Sequence, residues 1–178
     1  IHKGALECFD KVIELAPKDS LGWHNKGILL VNFGKNEEAI KCFDKVIGLD
    51  PKLDTMTKDI PFHNAWFGKG NALSNLGKHE EAIKCCDKAI ELDPKNEMYW
   101  CGKGRALGGF GKNEESLECY DKSIEIKATT QGWWRKGIVL GQLGKHEEAI
   151  ECFDKTLELD PKFVYGWFAR SASLQMLN

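Results

Sequence analysis

The sequence predicts an all-α fold made of a helix pair that repeats along the chain. The first observation is a series of tryptophans, Trp23, Trp66, Trp100, Trp133 and Trp167, with spacings of 43, 34, 33 and 34 residues. The second is that each is followed three residues later by Lys or Arg and then by Gly or Ser. The third is that a Gly-Lys pair and, in most periods, a proline recur in phase. A fixed period near 34 residues is typical of stacked helical repeats.

The first helix of each repeat can be described from residues 20–53, which serve as the template. From Leu21 to Phe33 the sequence has apolar residues at helical spacing and no proline. Gly34 marks the end of this helix, because glycine adopts the left-handed turn conformation without strain. The sequence therefore predicts a short turn at this glycine in every repeat.

The second helix of the template is predicted to begin near Asn36, as the N-cap, with Glu37 and Glu38 at its positively polarised end. Its apolar positions share one helical face. They are Ala39, Ile40, Phe43, Val46, Ile47 and Leu49. Asp50-Pro51 stops the helix, since proline cannot continue the backbone hydrogen bonds. The unit is therefore a helix, a tight turn, a second helix and a proline stop.

These signals describe one solenoid domain, residues 1–178, built from unequal parts. The parts are a half repeat (1–19), a repeat (20–53), an insertion (54–62), three more repeats (63–96, 97–129 and 130–163) and a half repeat or capping helix (164–178). We interpret the insertion as a tolerated surface loop, or alternatively as a lip formed by Met56, Ile60 and Phe62 over one edge of a groove. Pro61 is predicted to occupy a first helical position.

The two ends of the chain are half repeats of opposite kind. The chain opens with an unmatched second helix and closes with an unmatched first helix that carries Trp167, Phe168, Leu174 and Leu177. One interpretation is that the sequence is a piece of a longer array. The other is head-to-tail association, in which the last helix of one molecule stacks on the first helix of another.

The repeated residues resemble the tetratricopeptide repeat family over about the whole chain apart from the insertion. The matching features are the tryptophan, the glycine four residues later, the small residue that opens the second helix and the proline stop. A leucine and an aromatic residue also recur, at Leu30, Leu73, Leu107, Leu140 and Leu174 and at Phe9, Phe43, Tyr120 and Phe153. The resemblance implies a right-handed superhelical solenoid of antiparallel helix pairs, whose concave face is lined by the first helices. Because close helices need small residues, we expect Gly27 to face Ala39 and Gly70 to face Ala82.

Composition limits the kinds of partner. Lys and Arg number 25 and Asp and Glu 27, and the resulting net charge of −2 offers no general attraction to nucleic acid. No apolar run approaches the roughly 18 residues of a membrane-spanning helix, and no secretion signal is visible. We expect a cytoplasmic protein with protein partners and with neither a nucleic-acid nor a membrane partner.

Five of the seven cysteines take one equivalent position in each second helix. They are Cys8, Cys42, Cys85, Cys119 and Cys152. Equivalent residues in successive repeats lie about 8–10 Å apart or more, beyond the ~7 Å Cα separation that a disulfide requires. We therefore expect small apolar packing residues in a reducing compartment. No Cys-x-x-Cys pair or histidine cluster indicates a metal, no cofactor is expected, and Cys86, in place of an aromatic residue, is expected to loosen its repeat.

Candidate catalytic patterns recur in every repeat, which favours a structural interpretation of them. The Gly-Lys pairs lack the other residues of a phosphate-binding loop, and the Glu-Glu pairs lie at predicted helix starts, where acids complement the helix dipole. His79 and His146 replace the predicted N-cap asparagine. No nucleophile and base are arranged for covalent catalysis, so we expect no enzyme activity.

We predict that function lies on the concave face, at first-helix positions beside each tryptophan and one turn beyond it. The candidate positions, carried over from the family, are Leu21, His24, Asn25, Ile28, Asn64, Phe67, Asn71, Met98, Cys101, Arg105, Gln131, Trp134, Arg135, Tyr165 and Phe168. Aromatic, Met and Arg residues are enriched in protein interfaces, and repeat packing does not require Phe67 or Trp134. The alternative is that these side chains contact only the neighbouring repeat.

The resemblance also suggests one particular binding mode, which this sequence does not match well. Some family members are co-chaperones that hold a C-terminal carboxylate with five polar residues on three first helices. Only Asn71 and Arg135 match that pattern, so we do not expect this clamp, although Arg105 and Arg135 can bind an acidic group. The predicted function is a non-catalytic adaptor or scaffold that binds a peptide or helix of a partner protein. The alternative is a structural array unit that self-associates through its terminal helices.

Overall fold

A computed structural model describes residues 2–49 and 62–177 of the chain, and these residues form ten α-helices and no strand. The helices are α1 (His2–Leu15), α2 (Ser20–Asn32), α3 (Asn36–Gly48), α4 (Phe62–Asn75), α5 (His79–Leu92), α6 (Glu97–Gly109), α7 (Asn113–Ile126), α8 (Thr130–Gln142), α9 (His146–Leu159) and α10 (Val164–Met176). The predicted alternation of first and second helices is confirmed. Phe62 opens α4, whereas Met56, Ile60 and Pro61 of the predicted insertion lie outside the described residues.

The helices group into two compact units, residues 1–94 with α1 to α5 and residues 95–178 with α6 to α10. Within the first unit, α2 packs on α3 and α3 on α4, so each helix contacts its chain neighbours. Within the second unit, the same order holds from α6 to α10, and α8 also touches both α6 and α10. Each unit is therefore a stack of helix pairs in sequence order, as the period predicts.

The turn between the two helices of a repeat is made by a glycine with a positive φ angle. Gly34, Gly77, Gly111 and Gly144 have φ angles of 71°, 73°, 86° and 75°. The amide of the following lysine then donates to a carbonyl of the first helix, as Lys35 N does to Leu30 O at 2.9 Å. These bonds satisfy carbonyls that the helix end would leave unpaired, so the predicted glycine stop is confirmed.

The prediction that Asn36 caps the second helix is wrong. The carbonyl of Lys35 already accepts the first helical bond, from Ala39 N at 3.0 Å, so Lys35 is the cap residue and its side chain forms no cap bond. Asn36 is instead 8% exposed; its amide donates to the Gly34 carbonyl at 3.2 Å, and its Oδ1 accepts from Nδ2 of Asn75 at 3.2 Å. His79 and His146 likewise begin their helices and do not cap them.

The repeat that lacks its proline still begins its next helix at a side-chain cap. Helix α7 ends at Ile126, and Thr129 then caps α8, with its Oγ1 accepting from Gly132 N at 3.1 Å. A threonine cap sets the start of a helix by satisfying one of its free amides. Asp19 and Asn96 cap α2 and α6 at the same position, after repeats that keep their proline, so the cap marks the start of the helix with or without it.

The core of each unit is formed where an aromatic ring of a second helix lies on glycine of a first helix. Phe43 is fully buried, and a Cβ added at Gly27 or at Gly68 would lie 2.8 or 2.6 Å from its ring. The atoms nearest to Gly27 are therefore those of the Phe43 ring, one turn further along α3 than Ala39. Equivalent ring contacts join Tyr120 to Gly104 and Phe153 to Gly137.

Gly70, by contrast, lies close to the Ala82 carbonyl, at 3.3 Å from the Cβ position, as predicted. Its repeat has Cys86 in place of the ring, and Cys86 is only 1% exposed, with its sulfur 3.2 Å from the same position. The sulfur therefore occupies the place against glycine that a ring occupies elsewhere.

Candidate functional site

At four of the five tryptophans, the lysine or arginine three residues later has a structural role that the sequence did not reveal. It pairs with the aspartate that follows the aromatic residue of the preceding second helix. The pairs and their N–O distances are Lys26–Asp10 (2.5 Å), Lys69–Asp44 (2.6 Å), Lys136–Asp121 (2.5 Å) and Arg170–Asp154 (2.5 Å). The same lysines lie 5.8–5.9 Å from the ring centres of Trp23, Trp66 and Trp133, within cation–π range. These cations therefore connect successive repeats.

In the first unit, the predicted groove residues differ in how far they reach the surface. Leu21 and Ile28 on α2 are 40% and 43% exposed, so both offer apolar surface. His24 between them is only 8% exposed, and its ring stands edge-on to Phe43 at 5.7 Å. Burial lowers the pKa of His24 below its ordinary value. His24 therefore belongs to the packing of α2 on α3. Four further predicted residues are partly buried: Asn25, Asn64, Phe67 and Asn71.

In the second unit, a small cavity of about 210 Å³ brings several predicted residues together between α6 and α8. The described residues that line it are Arg105, Gly108, Gly109, Tyr120, Trp134, Arg135, Ile138, Val139 and Gln142. Arg105 and Arg135 are charged, and no acidic residue is among them. The cavity is therefore electropositive, and it lies where the sequence placed part of the groove.

The guanidinium of Arg135 is fixed by two neutral neighbours. It lies 5.5 Å from the ring of Trp134, and the Gln131 amide oxygen, oriented by the hydrogen-bond network, accepts from its Nη2 at 2.8 Å and its Nε at 2.7 Å. Gln131 itself is exposed on the same helix. Neither neighbour carries charge, so the full positive charge of Arg135 remains available at the cavity.

Two protonated groups lie beside this pair of arginines. Burial raises the pKa of Tyr120 to about 12, and the neighbouring Cys101 acts in the same direction, although Arg135, Arg105 and a hydrogen bond to Ser116 oppose the increase. Burial also raises the pKa of Cys101 against the opposing effect of both arginines, and the nearby carboxylate of Glu97 acts in the same direction as burial. Tyr120 and Cys101 are therefore uncharged at neutral pH. The sequence predicted only a packing role for Tyr120. In the structure this residue also lines the cavity.

An exposed aromatic cluster lies beside the cavity on α8 and α10. Phe163 contacts Trp134 edge to face with ring centres 5.5 Å apart, and it contacts Tyr165 at 5.9 Å. Tyr165 and Phe168 are 69% and 70% exposed. Trp134 Nε1 is buried and has no hydrogen-bond partner. Sequence reasoning missed Phe163, although an aromatic residue four before the tryptophan, where Asp19, Asn96 and Thr129 cap their helices, could have revealed it.

Met98 on α6 completes the predicted set, with 51% of its side chain exposed. The structure thus brings together Arg105, Gln131, Trp134 and Arg135 around one cavity, with Tyr165 joined to them through the aromatic cluster. It places Met98 and Phe168 on the surface and gives them no described contact with that cavity. The predicted residues of the first unit lie on α2 and α4.

The cysteines behave as packing residues wherever a second helix is covered. Cys42, Cys85, Cys119 and Cys152 are 4–6% exposed, whereas Cys8 on α1 is exposed. Burial raises the pKa of Cys85 and of Cys152 to about 11, so their thiols stay protonated. Across residues 2–49 and 62–177, no cluster of three or more His, Cys, Asp or Glu is placed to hold a metal ion. In the same ranges no helix is long and apolar enough to cross a membrane.

The successive helix pairs, with glycine turns and ring-on-glycine contacts, define a helical-repeat solenoid. Family models described as "Tetratricopeptide repeat" match residues 8–41, 63–96, 99–130 and 131–163. The chain belongs to the tetratricopeptide repeat family. No curated protein sequence matches the chain.

Several solved structures share this fold. TTC0263, "a thermophilic TPR protein" from Thermus thermophilus, has a TM-score of 0.82 at 14% identity and covers 98% of this chain and 91% of its own. YrrB, "a TPR protein with an unusual peptide-binding site", has a TM-score of 0.67 at 22% identity, with coverages of 94% and 82%. The first TPR of Spaghetti (RPAP3), solved bound to the HSP90 peptide SRMEEVD, has a TM-score of 0.62 at 25% identity, with coverages of 65% and 92%.

Proposed function

We propose that this chain is a non-catalytic adaptor that binds a peptide or helix of a partner protein on the faces of its first helices. The observation that carries the proposal is the surface beside the repeated tryptophans in the second unit. There Arg135 and Trp134 line an open cavity, and Tyr165 next to them is 69% exposed. Exposed aromatic and arginine side chains of this kind are typical of binding hot spots.

Two comparisons support a peptide as the partner. YrrB is described by its peptide-binding site, and the RPAP3 domain was solved with a bound peptide. The roles of the neighbouring residues support the same choice, because the tryptophans, the glycines and the paired lysines are already used for packing. The candidate groove residues of both units are our proposal for the contact surface, with His24 contributing through packing alone.

The proposal is tested by selecting ten-residue peptides from a displayed random library on the native chain. We expect the Trp134→Ala, Arg135→Ala double variant to lose the selected peptides while its helical circular dichroism is unchanged. A matched control is the Lys122→Ala, Lys155→Ala double variant, because both lysines are exposed on second helices and pair only with a glutamate one turn away. Peptide binding that survives in the first double variant would refute this assignment of the binding surface.

A second activity, self-association, is favoured by the exposed apolar face of α10. Trp167, Phe168 and Met176 are 53%, 70% and 68% exposed, and no described helix covers them. We propose that α1 of a second copy is the occupant. Helix α1 carries Phe9 at the position of the packing aromatic residue, and α10 carries the small Ser171 at the position of the facing glycine.

We further propose that the chain resides in a reducing cytoplasm. All seven cysteines are free thiols, and four lie in the core of their units, where a covalent bridge would have to displace packed side chains. Mass spectrometry of alkylated protein from cells would show seven alkylated cysteines if this is right. Native disulfides would contradict it.

A further inference from the structure

We propose that the cavity between α6 and α8 binds the carboxylate of an aspartate or glutamate side chain within the partner peptide. The inference rests on the proposed peptide-binding function and adds the chemistry of the residue that is recognised. It differs from recognition of a chain terminus, because the site has one pair of arginines and an aromatic surface beside it.

The charge of the cavity is the first argument. Arg105 and Arg135 line it, and none of its described lining residues is acidic, although the chain as a whole has a net charge of −2. In the same unit, Lys136 and Arg170 are each neutralised by an aspartate at 2.5 Å. Among the residues that the structure describes, none forms a salt bridge with Arg135. Its charge can therefore attract an acidic group of a ligand.

The fixed position of Arg135 is the second argument. The bonds to Gln131 use two of its donors and leave the others for a ligand, and the Trp134 ring centre lies 5.5 Å from the guanidinium carbon. A planar guanidinium matches a carboxylate with two parallel hydrogen bonds. Because the side chain is already ordered, the ligand does not have to offset the entropy of ordering it.

The groups next to the two arginines suit an anionic ligand and not a cationic one. Tyr120 and Cys101 keep their protons at neutral pH because burial raises the pKa of both, so they add no negative charge. The volume of about 210 Å³ suits one acidic side chain, and the cluster of Phe163 and Tyr165 offers a surface for an apolar or aromatic residue beside it.

An array of synthetic ten-residue peptides tests this inference. One central position is fixed as Glu, Asp, Gln, Asn or phosphoserine, the next is Phe or Ala, and the others are randomised. We expect the Glu and Asp peptides to bind the native chain about tenfold more tightly than the Gln and Asn peptides, since loss of a charge-assisted pair costs about one decade in affinity. We also expect Phe to be preferred over Ala and the acidic preference to weaken as salt is raised.

The variants Arg105→Gln and Arg135→Gln should each reduce the preference for Glu over Gln about tenfold, while the Gln peptides bind as before. The matched control is Lys122→Gln, which removes the same charge from α7 and should leave the preference unchanged. Circular dichroism checks the fold of each variant.

The outcomes separate the two proposals. If Glu and Gln peptides bind equally to the native chain, the carboxylate site is refuted while peptide binding stands. If phosphoserine is strongly preferred to Glu, the site takes a phosphate and the assignment to a carboxylate is overturned. If no peptide binds, the proposed function is refuted together with this site.

Discussion

His24 shows how one residue can link packing to pH. It occupies a first-helix position that a binding surface could use, yet it is 8% exposed and stands edge-on to Phe43. A buried imidazole without a charged partner is more easily kept neutral, which is why its pKa is lowered. Part of the stability of the first unit therefore depends on His24 remaining unprotonated.

We predict that stability falls as the pH drops below about 6.5, the ordinary pKa of histidine in an unfolded chain. Above that value His24 is neutral in both states and contributes no pH dependence. Below it the unfolded chain binds a proton that the folded chain resists, so the free energy of unfolding decreases until the lowered folded pKa is passed. Urea unfolding at pH 7.5 and 5.5 measures the loss, which should be smaller in His24→Gln. An equal loss in the variant would contradict this origin.

Residue identities of the core could be predicted from the sequence, whereas the contacts of the site could not. The tryptophan, glycine and aromatic positions follow from a period that local backbone geometry imposes on every repeat. The Gln131–Arg135 bond and the place of Phe163 occur once, so no repetition draws attention to them. The burial of His24 was missed for the same reason, since the other repeats carry a different residue there.

At the scale of helices, the distance between two packed helix axes is set by the contact of a glycine on one helix with an aromatic ring on the other. Gly68 on α4 and Gly27 on α2 contact the same Phe43 ring from two sides, with Cβ positions 2.6 and 2.8 Å from it. The ring is fully buried, so it cannot swing away from an added methyl group. These glycines are therefore required by close approach, although their backbone angles are ordinary for a helix.

We predict that Gly68→Ala destabilises the chain by about 1–3 kcal/mol through overpacking against Phe43. The matched control is Gly48→Ala, at the end of α3, where an added Cβ meets no atom within 4 Å. There the higher helix propensity of alanine should stabilise by up to about 1 kcal/mol. Urea denaturation followed by circular dichroism compares the two variants. If both variants changed the free energy of unfolding in the same direction, helix propensity, and not contact with the ring, would control these sites.

Element boundaries were predictable to within a residue or two, and the errors have one cause. A glycine turn ends one helix and starts the next within three residues, so Lys35 becomes the cap before Asn36 can. Asn36 is then free to bond to Asn75 of the next repeat, a contact that local sequence rules do not include. Long-range partners of this kind decide which role a polar residue at a turn takes.

At the scale of the whole molecule, each repeat within a unit covers the apolar face of the one before it. Trp23 and Trp133 pack against core clusters in this way, whereas Trp167, on the last described helix, is 53% exposed. On α1, Val12 and Leu15 are 39% and 74% exposed. If copies associate head to tail as proposed, a heterologous contact between α10 of one copy and α1 of another would bury both faces.

We predict that the native chain shows a sedimentation mass above its 20.1 kDa monomer value, rising with concentration. Trp167→Ser with Leu177→Ser, on or just after α10, should abolish the increase, and so should Phe9→Ser with Leu15→Ser on α1. Because each variant keeps one intact face, an equimolar mixture of the two should assemble only to pairs. A native chain that remains at 20.1 kDa across the range would refute self-association. A mixture that grows beyond pairs would show that the contact uses other surfaces, since a head-to-tail contact with one working face per molecule cannot extend.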